Sequence, residues 1–214
     1  MSFPTFLEDA VREAALRFGR ALDYLEWPNG ETDAPPNELN ALINLQWALS
    51  RIDPPFHFYS EGSIAERGRV DLMASNGATS LAIEAKRFGA INERSDSIFA
   101  DLNRLLSFAP AYYQGENGRK INDWWSQSER WGLVVITSFR GDEVRDAWLA
   151  QDRESMLSAL NTYKKRADQP RADGTGFVQL WATPSLHRFA APISLTDRWS
   201  DVARGHLLCG ALAL

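Results

Sequence analysis

Asp71, Glu84 and Lys86 are the residues of this chain whose types and spacing suit chemistry on a phosphodiester. They lie within GRVDLMASNGATSLAIEAKRF, residues 68–88. Two apolar, strand-like runs flank Asn76-Gly77, a dipeptide that strongly signals a tight hairpin. With Asn76 and Gly77 as the two loop residues, Ser75 faces Ala78, Asp71 stands opposite Ala82, and Glu84 is its diagonal neighbour. Side chains alternate along a strand, so Asp71, Ala82, Glu84 and Lys86 project from one face. Val70, Leu72, Leu81 and Ile83 project from the other, an aliphatic surface suited to packing against a helix. A solvated ion pair at such a hairpin contributes little. Glu84 and Lys86, however, sit in a run from Ser80 to Phe88 that otherwise reads as interior, where unpaired charge is costly. Charge retained in such a place points to function.

Two carboxylates on adjacent strands, with the main-chain carbonyl of Ala85, offer the oxygen ligands that a hard divalent cation such as Mg²⁺ (or Mn²⁺) takes while keeping several waters. Such a cation orients or acidifies an attacking water and neutralises charge developing at phosphorus. The Lys86 ammonium, on the same face, suits either stabilising the pentavalent transition state or positioning the water.

The elements that must hold these residues follow from pattern. Residues 5–25 carry Phe6, Leu7, Val11, Ala14, Ala15, Phe18, Ala21, Leu22 and Leu25 at helical spacing, and Trp27-Pro28-Asn29-Gly30 stops that helix. Asn37 reads as the N-cap of a second helix from Glu38 to Arg51, closed by Asp53-Pro54-Pro55. Residues 56–64 read as a strand, followed by the hairpin strands 69–75 and 78–88. Ser95 caps a predicted helix through Tyr113, and another is predicted around 119–130. WGLVVITSF, residues 131–139, is a continuous apolar run of the kind that is buried on both faces of a sheet. Residues 140–160 read as helix in one or two pieces, 177–183 as a strand, and the segment from Thr196 as a last helix bearing Trp199, Val202, Ala203, Leu207 and Leu208. The expectation is an α/β layer arrangement with a central mixed sheet flanked by helices.

Composition bounds the reading. A chain of 214 residues with 44% hydrophobic and 24% charged residues is ordinary for one soluble globular domain. No run approaches the length of a membrane span, and the N-terminus lacks the basic and apolar segments of a secretory signal. Cys209 is the sole cysteine, which excludes an intramolecular disulfide or a multi-thiolate zinc site and makes a small buried side chain its plainest role. A cytoplasmic protein fits. His57, His187 and His206 show no zinc-binding spacing. Phosphate-binding glycine loops and a nucleophile-elbow serine are absent, which removes ATPases, dinucleotide enzymes and serine hydrolases. The net charge of −5 argues against tight nonspecific binding of nucleic acid. Basic residues cluster locally at Arg67 and Arg69, at Arg119-Lys120, and at Lys164, Lys165, Arg166 and Arg171, a pattern that usually marks solvated surface. Among the eight tryptophans, Trp47 and Trp131 fit core patterns, while the adjacent Trp124 and Trp125 cannot share a helix face. The apolar Ala211-Leu212-Ala213-Leu214 suggests docking on the body or on another subunit, leaving room for a homo-oligomer or a protein partner at the C-terminal region.

The segment Asp71…Glu84-Ala85-Lys86 resembles the D…(D/E)-x-K signature of the PD-(D/E)XK nuclease superfamily. The resemblance extends to element order (helix, three strands bearing the motif, helix, apolar strand) and covers residues 37–139. It implies a restriction-endonuclease-like core with residues 5–25 and 140–214 as elaborations of one domain. Several of these families place a glutamate on the helix before the first strand, and Glu38 stands at that position. As a residue alone, Glu38 reads as a first-turn acid favoured by the helix dipole. Asp101-Leu102-Asn103-Arg104-Leu105 resembles the helix after the motif in some members, and ordinary amphipathicity explains it equally well. Val70 replaces the proline before the first acid, which loosens the signature. Glu61, just upstream, reads as an exposed acid. The resemblance implies metal-dependent hydrolysis of nucleic-acid phosphodiesters, most often DNA, with Asp71, Glu84 and the Ala85 carbonyl on Mg²⁺ or Mn²⁺ and Lys86 and Glu38 assisting. A fold of this kind also hosts inactive relatives that bind nucleic acid or a protein partner. A phosphohydrolase of small nucleotides is a weaker alternative.

Overall fold

The structure, a computed structural model, describes residues 3–24, 38–63, 69–88, 100, 103–105, 123, 125–139, 141–166, 175–194 and 205–214. Two helices open the chain, α1 (Phe6–Tyr24) and α2 (Glu38–Leu49). Strands β1 (His57–Ser63), β2 (Arg69–Ser75), β3 (Thr79–Phe88) and β4 (Glu129–Ser138) follow. Helices α3 (Asp142–Leu149), α4 (Arg153–Arg166) and α5 (Thr175–Trp181) lead to β5 (His187–Ile193) and β6 (Gly205–Ala213). The six strands form one mixed sheet in the order β1-β2-β3-β4-β6-β5. Only β3 and β4 are parallel, with Glu84 beside Val134 and Lys86 beside Ile136.

The alternation of side chains along the strands divides the interior in two. On one face α1 and α2 pack Leu7, Val11, Phe18, Leu45 and Leu49 onto Leu72, Leu81, Ile83, Leu133 and Val135. On the other, α3, α4 and α5 pack Val144, Trp148, Met156, Leu160 and Phe177 onto Val134, Ile136, Leu208 and Leu212. The protein is therefore an α/β protein with a six-stranded mixed sheet packed against helices on both faces. Among the described residues no helix is long and apolar enough to cross a membrane.

The N-terminal half follows the sequence pattern within two residues at each described boundary, whereas the C-terminal half departs from it. Residues 175–181 are helical, not a strand: Phe177 and Trp181 are one turn apart and both join the core beneath α3, a spacing that a short aromatic run leaves ambiguous. Residues 205–213, taken as the end of a helix, form β6 between β4 and β5. Its eight residues from Gly205 to Leu212 are all buried, as expected of a strand covered on both faces. The apolar C-terminus thus fills the sheet interior. Strand β5 escapes the pattern because Pro192 interrupts it, and proline is tolerated here because β5 lies at the sheet edge. The segment from 140 to 160 resolves into two helices, the second running on to Arg166. Of the predicted helices over 95–113 and 119–130, residues 100, 103–105, 123 and 125–127 are described, as helix, and β4 begins at Glu129. Asn37, Trp124, Arg171 and residues 196–204 lie outside the described residues.

Candidate metal centre

The hairpin that carries Asp71 and Glu84 closes one residue later than the Asn-Gly signal suggests. Asn76 N–H donates to the Thr79 carbonyl at 3.1 Å, which makes Asn76 and Thr79 the last pair. The side-chain oxygen of Asn76 accepts from the amides of Ala78 (3.1 Å) and Thr79 (2.8 Å). Asn76 is therefore spent on holding the turn, an Asx-type role, and Gly77 and Ala78 are the loop residues. Gly77 takes φ of 87°, which a glycine adopts without strain. Three serines anchor the base of the turn: Ser128 Oγ donates to Ser80 Oγ (2.7 Å), which donates to Ser75 Oγ (2.8 Å).

The loop is still two residues long, so within the paired stretch the side of each strand residue is unchanged. The register, however, moves by two. Ser75 faces Ser80, Met73 faces Ala82 and Leu72 faces Ile83. That register takes Asp71 away from Ala82, and a side-chain hydrogen bond brings the Asp71 and Glu84 carboxyls together.

The β2–β3 ladder stops at Leu72 and Ile83. At the next position on that edge of β3 the Ala85 N–H donates to Asp71 Oδ2 at 2.8 Å. A carboxylate thus takes the place of a main-chain carbonyl, and the bond orients Asp71 toward Glu84. The N–H and C=O of one strand residue point to the same neighbour, so the Ala85 carbonyl lies along the same edge. Val70, expected on the aliphatic face with Leu72, packs instead with Met73, Ala82 and Val134 on the opposite side.

Glu84 is 1% exposed. It is flanked by Val134 on β4 and shares its face with Ala82 and Ile136, all fully buried. This burial is the main reason its pKa is pushed up from 4.5 to about 7; the facing Asp71 carboxylate adds to the rise, and Arg104 and Lys86 oppose it. A side-chain hydrogen bond with Asp71 also favours the protonated form. Lys86 is half-buried, two residues further along the same face.

Arg104 is the residue that sequence reasoning left aside. Its Nη2 lies 3.2 Å from Glu84 Oε1, on a helical segment whose next residue, Leu105, is fully buried. That segment approaches β4 closely because position 132 is glycine: a Cβ there would stand 3.2 Å from the Leu105 Cβ. The available signal was physical. A carboxylate buried in an apolar strand requires a cation, and Arg104 precedes a core leucine on the following helix.

Glu38 opens α2, which packs on the face of the sheet opposite to Glu84. The side chains of Glu38 and Glu61, and the whole of Asp101, lie outside the described ones. At the C-terminal end of the sheet the buried His206 on β6 is tied to α3, with Nε2 3.4 Å from Asp142 Oδ1 and 3.4 Å from Arg145 Nη1. Cys209 is fully buried and its thiol is pushed up by desolvation, so it is unreactive. Trp131 and Trp125 are core residues, whereas Trp47 is half-buried beneath the guanidiniums of Arg17 and Arg51.

Among the described residues no group of three or more His, Cys, Asp and Glu side chains could hold a metal. The oxygen donors that adjoin at Asp71 and Glu84 are two carboxylates, with the Ala85 main chain beside them. That set fits Mg²⁺ or Mn²⁺ and is unsuited to zinc, which favours nitrogen and sulfur. No protein-family model, curated protein or solved structure matches this chain.

Proposed function

We propose that this chain is a metal-dependent nuclease of the PD-(D/E)XK kind, with a restriction-endonuclease-like core, hydrolysing phosphodiester bonds of nucleic acid, most often DNA. The observation that carries the reading is the hydrogen-bonded approach of the Asp71 and Glu84 carboxyls on neighbouring strands, with Lys86 two residues beyond Glu84 and the Ala85 amide bonded to Asp71. Asp71, Glu84 and the Ala85 carbonyl would hold Mg²⁺ or Mn²⁺. When bound, that cation supplies a polarised phosphoryl oxygen and a water of lowered pKa. Asp71 is fixed in orientation by the Ala85 amide. Glu84 must give up its proton to act as a ligand, and Lys86 brings a positive charge to the place where negative charge grows on the phosphoryl oxygens.

Single-stranded and duplex DNA and RNA, incubated with Mg²⁺, Mn²⁺ or no metal, test the assignment. Metal-dependent cleavage is expected, abolished in Asp71→Asn and Glu84→Gln. It is expected to fall by about 10²-fold or more in Lys86→Ala, on the scale of losing one transition-state contact. Unchanged cleavage in both acid variants would rule the assignment out.

A second reading, a noncatalytic module of the same architecture that binds nucleic acid or a protein, draws on the Arg104–Glu84 ion pair. A guanidinium already seated on the central carboxylate is what a site that has exchanged its metal for an internal cation would show. Absence of Mg²⁺ and Mn²⁺ binding together with a stable partner complex would favour it.

A further inference from the structure

We propose that Arg104 is a resident counter-cation of this centre, seated on Glu84 in the metal-free protein and displaced from it when the divalent ion enters. The inference rests on the nuclease reading and adds a residue and an order of events to it. Glu84 is 1% exposed, with Ala82, Val134 and Ile136 on its face and Asp71, Arg104 and Lys86 as charged neighbours, so its carboxylate is largely cut off from solvent. A buried carboxylate stripped of its partner destabilises a fold by several kcal/mol. The chain must nevertheless fold before it captures a metal. Arg104 meets that need: its Nη2 lies 3.2 Å from Oε1 of the Glu84 carboxylate.

A divalent ion on the Glu84 carboxylate would stand close to the guanidinium seated there, and repulsion between the two cations at this range is large. Arg104 has the means to yield. Its side chain is 40% exposed whereas that of Glu84 is 1% exposed, so the guanidinium can turn toward solvent while the carboxylate stays fixed on β3. The main chain of Arg104 is meanwhile held by Leu105, seated against Gly132 on β4. An anchored backbone with a retractable head lets metal occupancy, and not folding, set the position of this charge. Arg104 is thus a positioning residue: it acts through Glu84 and raises the concentration of metal needed to assemble the site.

Calorimetric titration of Mn²⁺ into the wild-type chain, Arg104→Met and Glu84→Gln at pH 8.5, where protons compete little for Glu84, tests the inference. The expected result is binding by wild type, binding about tenfold tighter by Arg104→Met, and loss of binding in Glu84→Gln. Equal or weaker binding by Arg104→Met, with wild type binding and Glu84→Gln not, would overturn the role of Arg104 and leave the metal centre standing. Equal binding by wild type and Glu84→Gln, or none by any of the three, would overturn the metal centre itself and the inference with it. Should Arg104→Met fail to fold, the unmutated chain with ¹⁵N-labelled arginine decides: the Arg104 Nε resonance is expected to shift in step with Mg²⁺ saturation, and an unmoved resonance at saturation would refute the displacement.

Discussion

A glutamic acid placed where water cannot reach it makes a proton and a metal rivals for the same oxygen. Glu84 titrates at about 7 instead of 4.5 because burial and the opposed Asp71 disfavour its anion. A raised carboxyl pKa means that the folded state holds the proton more tightly than the unfolded chain. The stability from this group is therefore complete below about pH 4.5 and is lost as pH rises to about 7. A rise of this size corresponds to up to about 3 kcal/mol. Glu84→Gln, which removes the titration, is expected to match wild type in urea denaturation near pH 4 and to exceed it by up to about 3 kcal/mol at pH 8, both without metal. Adding Mg²⁺ is expected to stabilise wild type alone, and more strongly above pH 7 than below it. A wild-type advantage at pH 8 without metal would contradict this account. The acids and lysine were legible in the sequence because charge inside an apolar run is expensive. Arg104 was not, because nothing in its local spacing distinguishes a counter-ion from a solvated arginine; its role exists only once Gly132 lets its helical segment settle on β4.

At the scale of elements, the site is made by small departures from ideal strand pairing. The parity of the hairpin was readable from the Asn-Gly signal and holds as far as Leu72, whereas Val70 departs from it. The register was not, because the Asn76 side chain takes two amides and moves the turn by one residue, a choice between two turns of equal loop length. That shift takes Asp71 away from Ala82. Elsewhere, short apolar runs misled: Phe177 to Trp181 suits either period, and the continuous run into Leu212 conceals a strand covered on both faces. The close approach at Gly132 offers an element-scale test. Gly132→Ala places a methyl group 3.2 Å from Leu105 Cβ and 3.3 Å from Leu214 Cδ2. It is expected to cost about 1–3 kcal/mol of stability by overpacking and to lengthen the Arg104–Glu84 contact beyond 3.2 Å in a crystal structure. Unchanged stability and an unchanged contact would show that the segment is not seated through this glycine.

In the whole molecule, the sheet works as a rigid floor whose central strands bring the site and whose far strands brace it. Trp148 on α3 is fully buried, and its Nε1–H donates to the carbonyls of Phe189 (3.2 Å) and Cys209 (3.0 Å), joining β5 and β6. Gly210 leaves room for the ring, since a Cβ there would stand 3.2 Å from Trp148 Cζ2. Trp148→Ala is expected to destabilise the protein by about 3–5 kcal/mol in urea; a loss below about 1 kcal/mol would show that β5 and β6 stand without this wedge. The layered α/β class was legible from the alternation of helical and strand periods, but the strand order was not, because β6 enters between β4 and β5 from the far end of the chain. With a net charge of −5, the proposed nucleic-acid substrate would need a cation between it and this surface, which returns the question to Asp71 and Glu84. Anomalous scattering from a crystal soaked in Mn²⁺ tests that centre most directly. A peak is expected between the two carboxylates, within coordination distance of an oxygen of each, with Arg104 withdrawn from Glu84. A well-soaked crystal with Arg104 still on Glu84 and no peak between the acids would contradict the account.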